Sequence, residues 1–404
     1  MNRRDFIRNS ALASASMMIP SFLKAFGVNK NGLYTLPANT TGKRLVVVQL
    51  SGGNDGLNCV VPFKNDLYYK ARPSLGLKDD DIIKITDEVA LNSNLKGLAD
   101  LFNNGNLAII NSVGYPNPNR SHFRSMDIWQ SASDEDQYVY SGWVGRYLDA
   151  SCSGTCAKPY AAVELDDTLS LSLKGDVTKG LAFSNPGLLH STSQNPIIRG
   201  VANEYKPNND HPEVEYLQKT LAETMESADY IYAHSKTFKS TRTYPANVFG
   251  NRLKTIAELI CSGCESSVYY ISLPGFDTHV FQKGQQNRAL KSLSDGLEVF
   301  CQDLKDNNKF DDTVVMTFSE FGRRVAQNAS GGTDHGTANN IYVISGKLAK
   351  AGIYNPMADL QNLDQGDLIY NTDFRQIYAT MLEKVLGADS EKVLGKKFEL
   401  MNFV

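Results

Sequence analysis

Histidine is scarce in this chain, six in 404 residues, and tryptophan scarcer, with two. No charge of one sign dominates, since 41 lysines and arginines stand against 44 aspartates and glutamates. That balance excludes nucleic acid as the main partner, because holding a phosphate backbone needs a basic excess. After the N-terminus no run approaches the ~20 apolar residues of a membrane helix, so no transmembrane segment is expected beyond a signal. Repeats are absent, and the only biased tract is the Ser/Ala-rich start. None of the six cysteines has a histidine nearby in metal-ligand spacing, which argues against a structural zinc. Cys152 and Cys156, flanking Ser-Gly-Thr, read as a small loop staple, and Cys261-x-x-Cys264 sits at a helix end. With 42% hydrophobic and 21% charged residues the chain can fill a core, and global disorder is excluded.

What is there begins at the N-terminus. Residues 1–8 (MNRRDFIR) are basic and residues 11–26 small and mildly apolar. The run Arg3-Arg4-Asp5-Phe6-Ile7 is similar to the twin-arginine export signal. Residues 1–40 are therefore read as signal and linker, outside the fold, with no A-x-A cleavage site evident. Residues 41–404 are expected to form one domain. The expected partner for export is the twin-arginine translocase, which moves folded proteins to the periplasm or beyond.

Residues 44–50 (RLVVVQL) form a continuous apolar run, the mark of a strand buried on both faces. Further strands are expected at 107–112, 267–273, 313–318 and 341–345, and helices at 94–102, 126–131, 211–237, 248–261, 285–305 and 373–386. Residues 150–210 change character; period-two stretches such as 169–173 suggest hairpins or a cap-like insertion. Apolar strands alternating with amphipathic helices predict an α/β fold with a mostly parallel central sheet flanked by helices. In such sheets ligands bind at the carboxyl ends of the strands.

The polar clusters follow strands in that way. Asp55 follows the first strand and Ser121-His122 the second; Asp277 and His279, then Glu320, follow the next two, and Asp334-His335 lies one loop on. Carboxylates mixed with imidazoles suit zinc or manganese, or magnesium or calcium where oxygen dominates. Arg323 or Arg324 could grip the oxygens of a phosphate or sulfate ester, since a guanidinium fits them bidentately. Each residue also has a plain structural role available. Asp55 can bond its own turn, Glu320 can pair with Arg323, and Ser121 can cap a helix. His190, His211 and His234 lie outside these clusters and are assigned no role.

Several motifs occur in order: the twin-arginine start, LSGGNDGLN at 50–58, YYKARP at 68–73, NRSHF at 119–123, GFDTH at 275–279, SEFGRR at 319–324 and GGTDHGT at 331–337. Together they identify the chain as a member of the bacterial family of exported proteins known as domain of unknown function 1501. That family is similar in fold to the alkaline phosphatase and sulfatase superfamily, which implies an alkaline-phosphatase-like three-layer sandwich. Carried over, the resemblance implies metal ligands at Asp55, Asp277, His279, Asp334 and His335, with Glu320 ligating or orienting. It implies Ser121 as nucleophile and Arg324 as oxyanion holder. The superfamily supplies one more histidine downstream; none follows His335, and His122 is the candidate replacement. No cysteine lies in a C-x-P-x-R segment, so formylglycine chemistry is not expected. The expected function is hydrolysis of phosphate or sulfate esters, small or on a polysaccharide, with a divalent metal. The rival is a non-catalytic exported binding or assembly protein.

Overall fold

The computed structural model describes residues 41–150, 158–203 and 212–404. The twin-arginine motif, Cys152, Cys156 and His211 lie outside these residues.

The first apolar run becomes β1 (Arg44–Ser51), and its alternate side chains go to different cores. Leu45 and Val47 join one buried cluster, while Val46, Val48 and Leu50 join the other. Both faces are covered, so period-two patterning disappears, and the one polar residue of the strand interior, Gln49, is hydrogen-bonded by Gln130 and Tyr270.

The remaining strands of the nine-stranded sheet are β2 (Leu107–Gly114), β3 (Ala162–Glu164), β4 (Leu181–Ala182), β5 (Val268–Pro274), β6 (Thr313–Phe318), β7 (Asn339–Ile344), β8 (Gly352–Ile353) and β9 (Thr372–Asp373). Their order is β8-β2-β7-β6-β1-β5-β3-β4, with β9 also paired to β2. β1 pairs in parallel with β5 and β6, and β7 runs antiparallel to both of its neighbours. The mostly parallel sheet expected from the sequence is thus present, with one reversed strand.

Helices α1 (Lys96–Asn103), α4 (Pro212–Thr237), α5 (Val248–Cys261) and α6 (Gln282–Asp306) cover one face, contributing Leu98, Ile231, Leu253 and Leu293 to its core. Helices α2 (His122–Ser131), α3 (Trp143–Ala150) and α7 (Phe374–Thr380) cover the other, where the Trp129 ring stacks on Phe374 at 4.2 Å and on Phe318 at 5.5 Å. Three layers result.

The hairpin expectation for 150–210 is corrected. β3 and β4 are short parallel strands added to the sheet edge, and Leu171–Leu173 is a 3-10 turn. Two helices, Pro186–Ser193 and Pro196–Asn203, then pack along α4. Alternation over five residues does not distinguish a strand from a tight turn that buries one leucine.

For the site, one consequence matters most. The carboxyl ends of β1, β2, β5 and β6 share an edge. Because β7 is reversed, its first residue lies at that edge too, and the whole connection 319–338 stays there.

Candidate metal centre

β5 runs out at Pro274, and Phe276 docks beside β1, its N–H donating to the Ser51 carbonyl at 3.2 Å. This anchors the start of the loop carrying Asp277 and His279. The approach is close: a Cβ on Gly52 (φ +121°) would lie 2.3 Å from the Asp277 nitrogen, so only glycine fits. β6 runs out into Ser319-Glu320, and the Ser319 hydroxyl donates to the Leu50 carbonyl at 2.6 Å. The connection then folds back on itself, with Arg324 N–H to Asp334 carbonyl at 3.0 Å and Gly336 N–H to Gly322 carbonyl at 2.9 Å. That ribbon sets His335 across from Arg323.

Three imidazoles meet here, and each has its Nδ1 committed to a fixed acceptor. His122, the first residue of α2, donates to Glu320 Oε1 at 2.8 Å. His279 donates to Asp334 Oδ1 at 3.1 Å, and His335 to the Arg120 carbonyl at 2.8 Å. An acceptor at Nδ1 fixes the proton there and leaves Nε2 with a bare lone pair. All three Nε2 atoms face Asp277 Oδ1, at 3.6, 3.2 and 3.6 Å for His122, His279 and His335. The Nε2 atoms of His279 and His335 are themselves 2.9 Å apart, and two bare lone pairs at that distance repel unless a cation or proton lies between them. Nε2 of His122 is buried with no hydrogen-bond partner. Phe321 walls the group, its ring 4.9 Å from His122 and 4.6 Å from His335.

Arg323 lies behind the loops, 2% exposed, and donates to the carbonyls of Gly52, Gly53, Phe276 and Thr333 and, at 2.7 Å, to Asp277 Oδ1. Burial alone would raise the Asp277 carboxyl. The Arg323 hydrogen bond and charge, with His122 and His279, outweigh it and hold Asp277 below the usual carboxylate range. The Glu320 hydrogen bond raises His122 above its ordinary value, against its burial. Burial lowers His335, helped by the nearby Arg323 charge and opposed by its bond to the Arg120 carbonyl. The Asn328 and His279 hydrogen bonds hold Asp334 low.

The expected site residues therefore divide. Asp277, His279 and His335 come together, and His122 joins them as a fourth donor. Glu320, expected to ligate or orient, is 1% exposed and accepts from His122 and the Gly52 N–H, so it positions an imidazole. Asp334 does the same for His279. Asp55 is not brought to the imidazoles: its Oδ2 accepts from Arg72 at 2.6 Å and from Gln282. Arg324 points away, to Asp367 at 3.2 Å and the Gln365 carbonyl. The cation touching the site is Arg323. Ser121 is exposed at the N-cap of α2, and its hydroxyl makes no capping bond. His190 pairs with Asp229 and His234 with Ser262, away from the site.

Arg72 and Asp367 are not singled out by the sequence as site-supporting residues. Arg72, within the YYKARP motif, pairs with Asp55, 17 positions away, and also reaches the Arg324 carbonyl, while Asp367 pairs with Arg324, 43 positions away, and one sequence does not report such pairings.

The chain belongs to the family described as "Protein of unknown function (DUF1501)", whose model matches residues 108–401. No curated protein sequence matches it. Among solved structures it is similar to the C-terminal periplasmic domain of EcEptC from Escherichia coli in complex with Zn, at 11% identity and TM-score 0.40, covering 80% of this chain and 78% of that one. It is similar to a protein in the alkaline phosphatase superfamily from Vibrio parahaemolyticus, at 10% identity and TM-score 0.38, covering 94% and 74%. It is also similar to the PsFucS1 sulfatase from Pseudoalteromonas sp., at 12% identity and TM-score 0.39, covering 93% and 77%.

Proposed function

We propose that this member of the DUF1501 family hydrolyses phosphate or sulfate esters with one divalent metal ion held by His122, His279, His335 and Asp277. The observation that carries the reading is the convergence of three bare Nε2 atoms on one carboxylate oxygen, with the His122 Nε2 buried and unpartnered. Ligands near 2.05 Å from a tetrahedral zinc stand about 3.3 Å from one another. His122, Asp277 and His335 each offer a ligand atom within 4.8 Å of the other two, and His279 stands beside them, 3.2 Å from Asp277 Oδ1 but outside that group of three. Three imidazoles to one carboxylate favour zinc over magnesium or calcium. When bound, such an ion supplies Lewis acidity toward ester oxygens and activates water.

The chain's own residues do the rest. Glu320, Asp334 and the Arg120 carbonyl keep the three imidazoles in the ligating tautomer. Arg323 keeps Asp277 ionised. Ser121, next to His122 and free of any capping bond, is the candidate nucleophile. The N-terminal twin-arginine motif supports export by the translocase, and Arg3→Lys with Arg4→Lys is expected to hold the full-length chain in the cytoplasm on cell fractionation.

The test is metal content and turnover of the purified chain. One zinc per chain and hydrolysis of aryl phosphate or sulfate, both abolished in His335→Ala, are expected; a metal-free chain or an unaffected variant overturns the reading. One observation favours the second reading, a non-catalytic binding protein. The Arg323 guanidinium already sits 2.7 Å from Asp277 Oδ1, and it could serve as the site's resident cation. Failure to take up zinc from a buffered solution would select that reading.

A further inference from the structure

Beside the imidazoles lies a cleft of about 410 Å³ between two loops, with walls that include Tyr115, Pro118, Thr337, Leu363, Ile369 and Tyr370. Its volume is within the range of small-molecule sites. None of the three imidazoles lines it, but two of its lining segments run on in the chain to residues of the site. Thr337 is two residues past His335, and Pro118 is two residues before Arg120, whose carbonyl holds His335 Nδ1 at 2.8 Å.

The polar tips of the inner wall are already used. The Tyr115 hydroxyl is bonded to Ser125 at 2.9 Å and accepts the Asn119 N–H at 3.0 Å. The Thr337 hydroxyl donates to the Leu368 carbonyl. What these walls offer is ring face and methyl groups, and the Asn117 and Asp364 side chains add the remaining polarity. At the junction with the metal centre, Asp367 is fully buried between the guanidiniums of Arg120 and Arg324, two cations to one anion. The Arg120 side chain is 40% exposed, so its guanidinium faces solvent at the junction.

We infer that this cleft takes the organic half of an anionic ester whose charged half lies at the metal centre, and that the organic half is an apolar ring, aryl rather than carbohydrate. Of the wall's polar tips, those of Tyr115 and Thr337 are spent, so along that inner wall a sugar's hydroxyls would meet ring face and methyl groups, and unpaired hydroxyls oppose binding. The half-exposed Arg120 guanidinium at the junction complements the anionic half. The assignment rests on the hydrolase reading for what the ester is, and on the cleft alone for what its ring is.

Both parts are tested with the zinc-loaded full chain, using 4-methylumbelliferyl phosphate, methyl phosphate and glucose 6-phosphate as substrates and 4-methylumbelliferone as a non-ester ligand read by fluorescence. The variants are Ile369→Asp, at an exposed position where a charge does not threaten folding, and Ile369→Leu. We expect methylumbelliferone binding and the aryl-over-methyl preference in kcat/KM to fall at least about tenfold in Ile369→Asp and to be retained in Ile369→Leu. Equal methylumbelliferone binding by wild type and Ile369→Asp overturns the inference, as does a preference for glucose 6-phosphate. Methylumbelliferone binding that Ile369→Asp abolishes, in a wild type that turns over no ester, supports the cleft and defeats the hydrolase reading.

Discussion

At the scale of single residues, the proposed metal site depends on carboxylates that hold the imidazoles from behind. Glu320 fixes the tautomer and orientation of His122 from a buried position, and Glu320→Gln loses the charge that favours Nδ1–H. Zinc affinity is expected to drop about 10- to 100-fold, as outer-shell changes do, measured by competition with a chromophoric chelator. A second buried carboxylate has a different consequence. Burial pushes the Glu164 carboxyl in β3 up to about 7 from 4.5, against the pull of the Ser170 N–H at 2.7 Å. Between those two values the folded chain binds more protons than the unfolded one, so stability falls as pH rises through the window and stays low above it. A shift of that size corresponds to about 3 kcal/mol. Glu164→Gln is expected to recover much of it at about pH 8 and little at about pH 4, read from urea midpoints at the two values.

At the scale of elements, the close approach of two strand-end loops is the assembly step. The turn after β1 must lie against the loop after β5, and Gly52 permits it. Gly52→Ala would force its Cβ to within 2.8 Å of the Phe276 carbonyl carbon in a backbone conformation that L-residues avoid. Strain of about 1–3 kcal/mol is expected, relieved by separating the loops. Zinc affinity should fall more than about tenfold while far-ultraviolet circular dichroism stays native; unchanged affinity would refute the role given to this contact. Elements were largely legible beforehand: the strand at 313–318 and the helix at 248–261 have the expected bounds. The direction of β7 was not legible. An apolar six-residue strand reads the same whichever way it runs, and its neighbours alone decide.

At the scale of the whole molecule, the proposed metal would join loops that follow three separate strands, β2, β5 and β6, so its binding should stabilise the entire fold. With free zinc about a hundredfold above Kd, the gain is about 2.7 kcal/mol. Thermal unfolding should shift upward with zinc concentration in the wild type and not in His279→Ala, checked by scanning calorimetry. A Tm independent of zinc would mean that these loops do not share an ion.

Local chemistry was determined by the sequence alone. Continuous apolar runs specify strands covered on both faces, and acids and histidines just past strand ends can only lie at one edge of a parallel sheet. The family motifs add the alkaline-phosphatase-like expectation. Tertiary structure decided which of those groups face one another. Asp55 went to Arg72, Glu320 to His122, and Arg323 rather than Arg324 reached Asp277. The physical reason is that a side chain's role depends on which partner takes its hydrogen bonds, and those partners are set by packing between segments as far apart as Arg323 and Gly52, 271 residues.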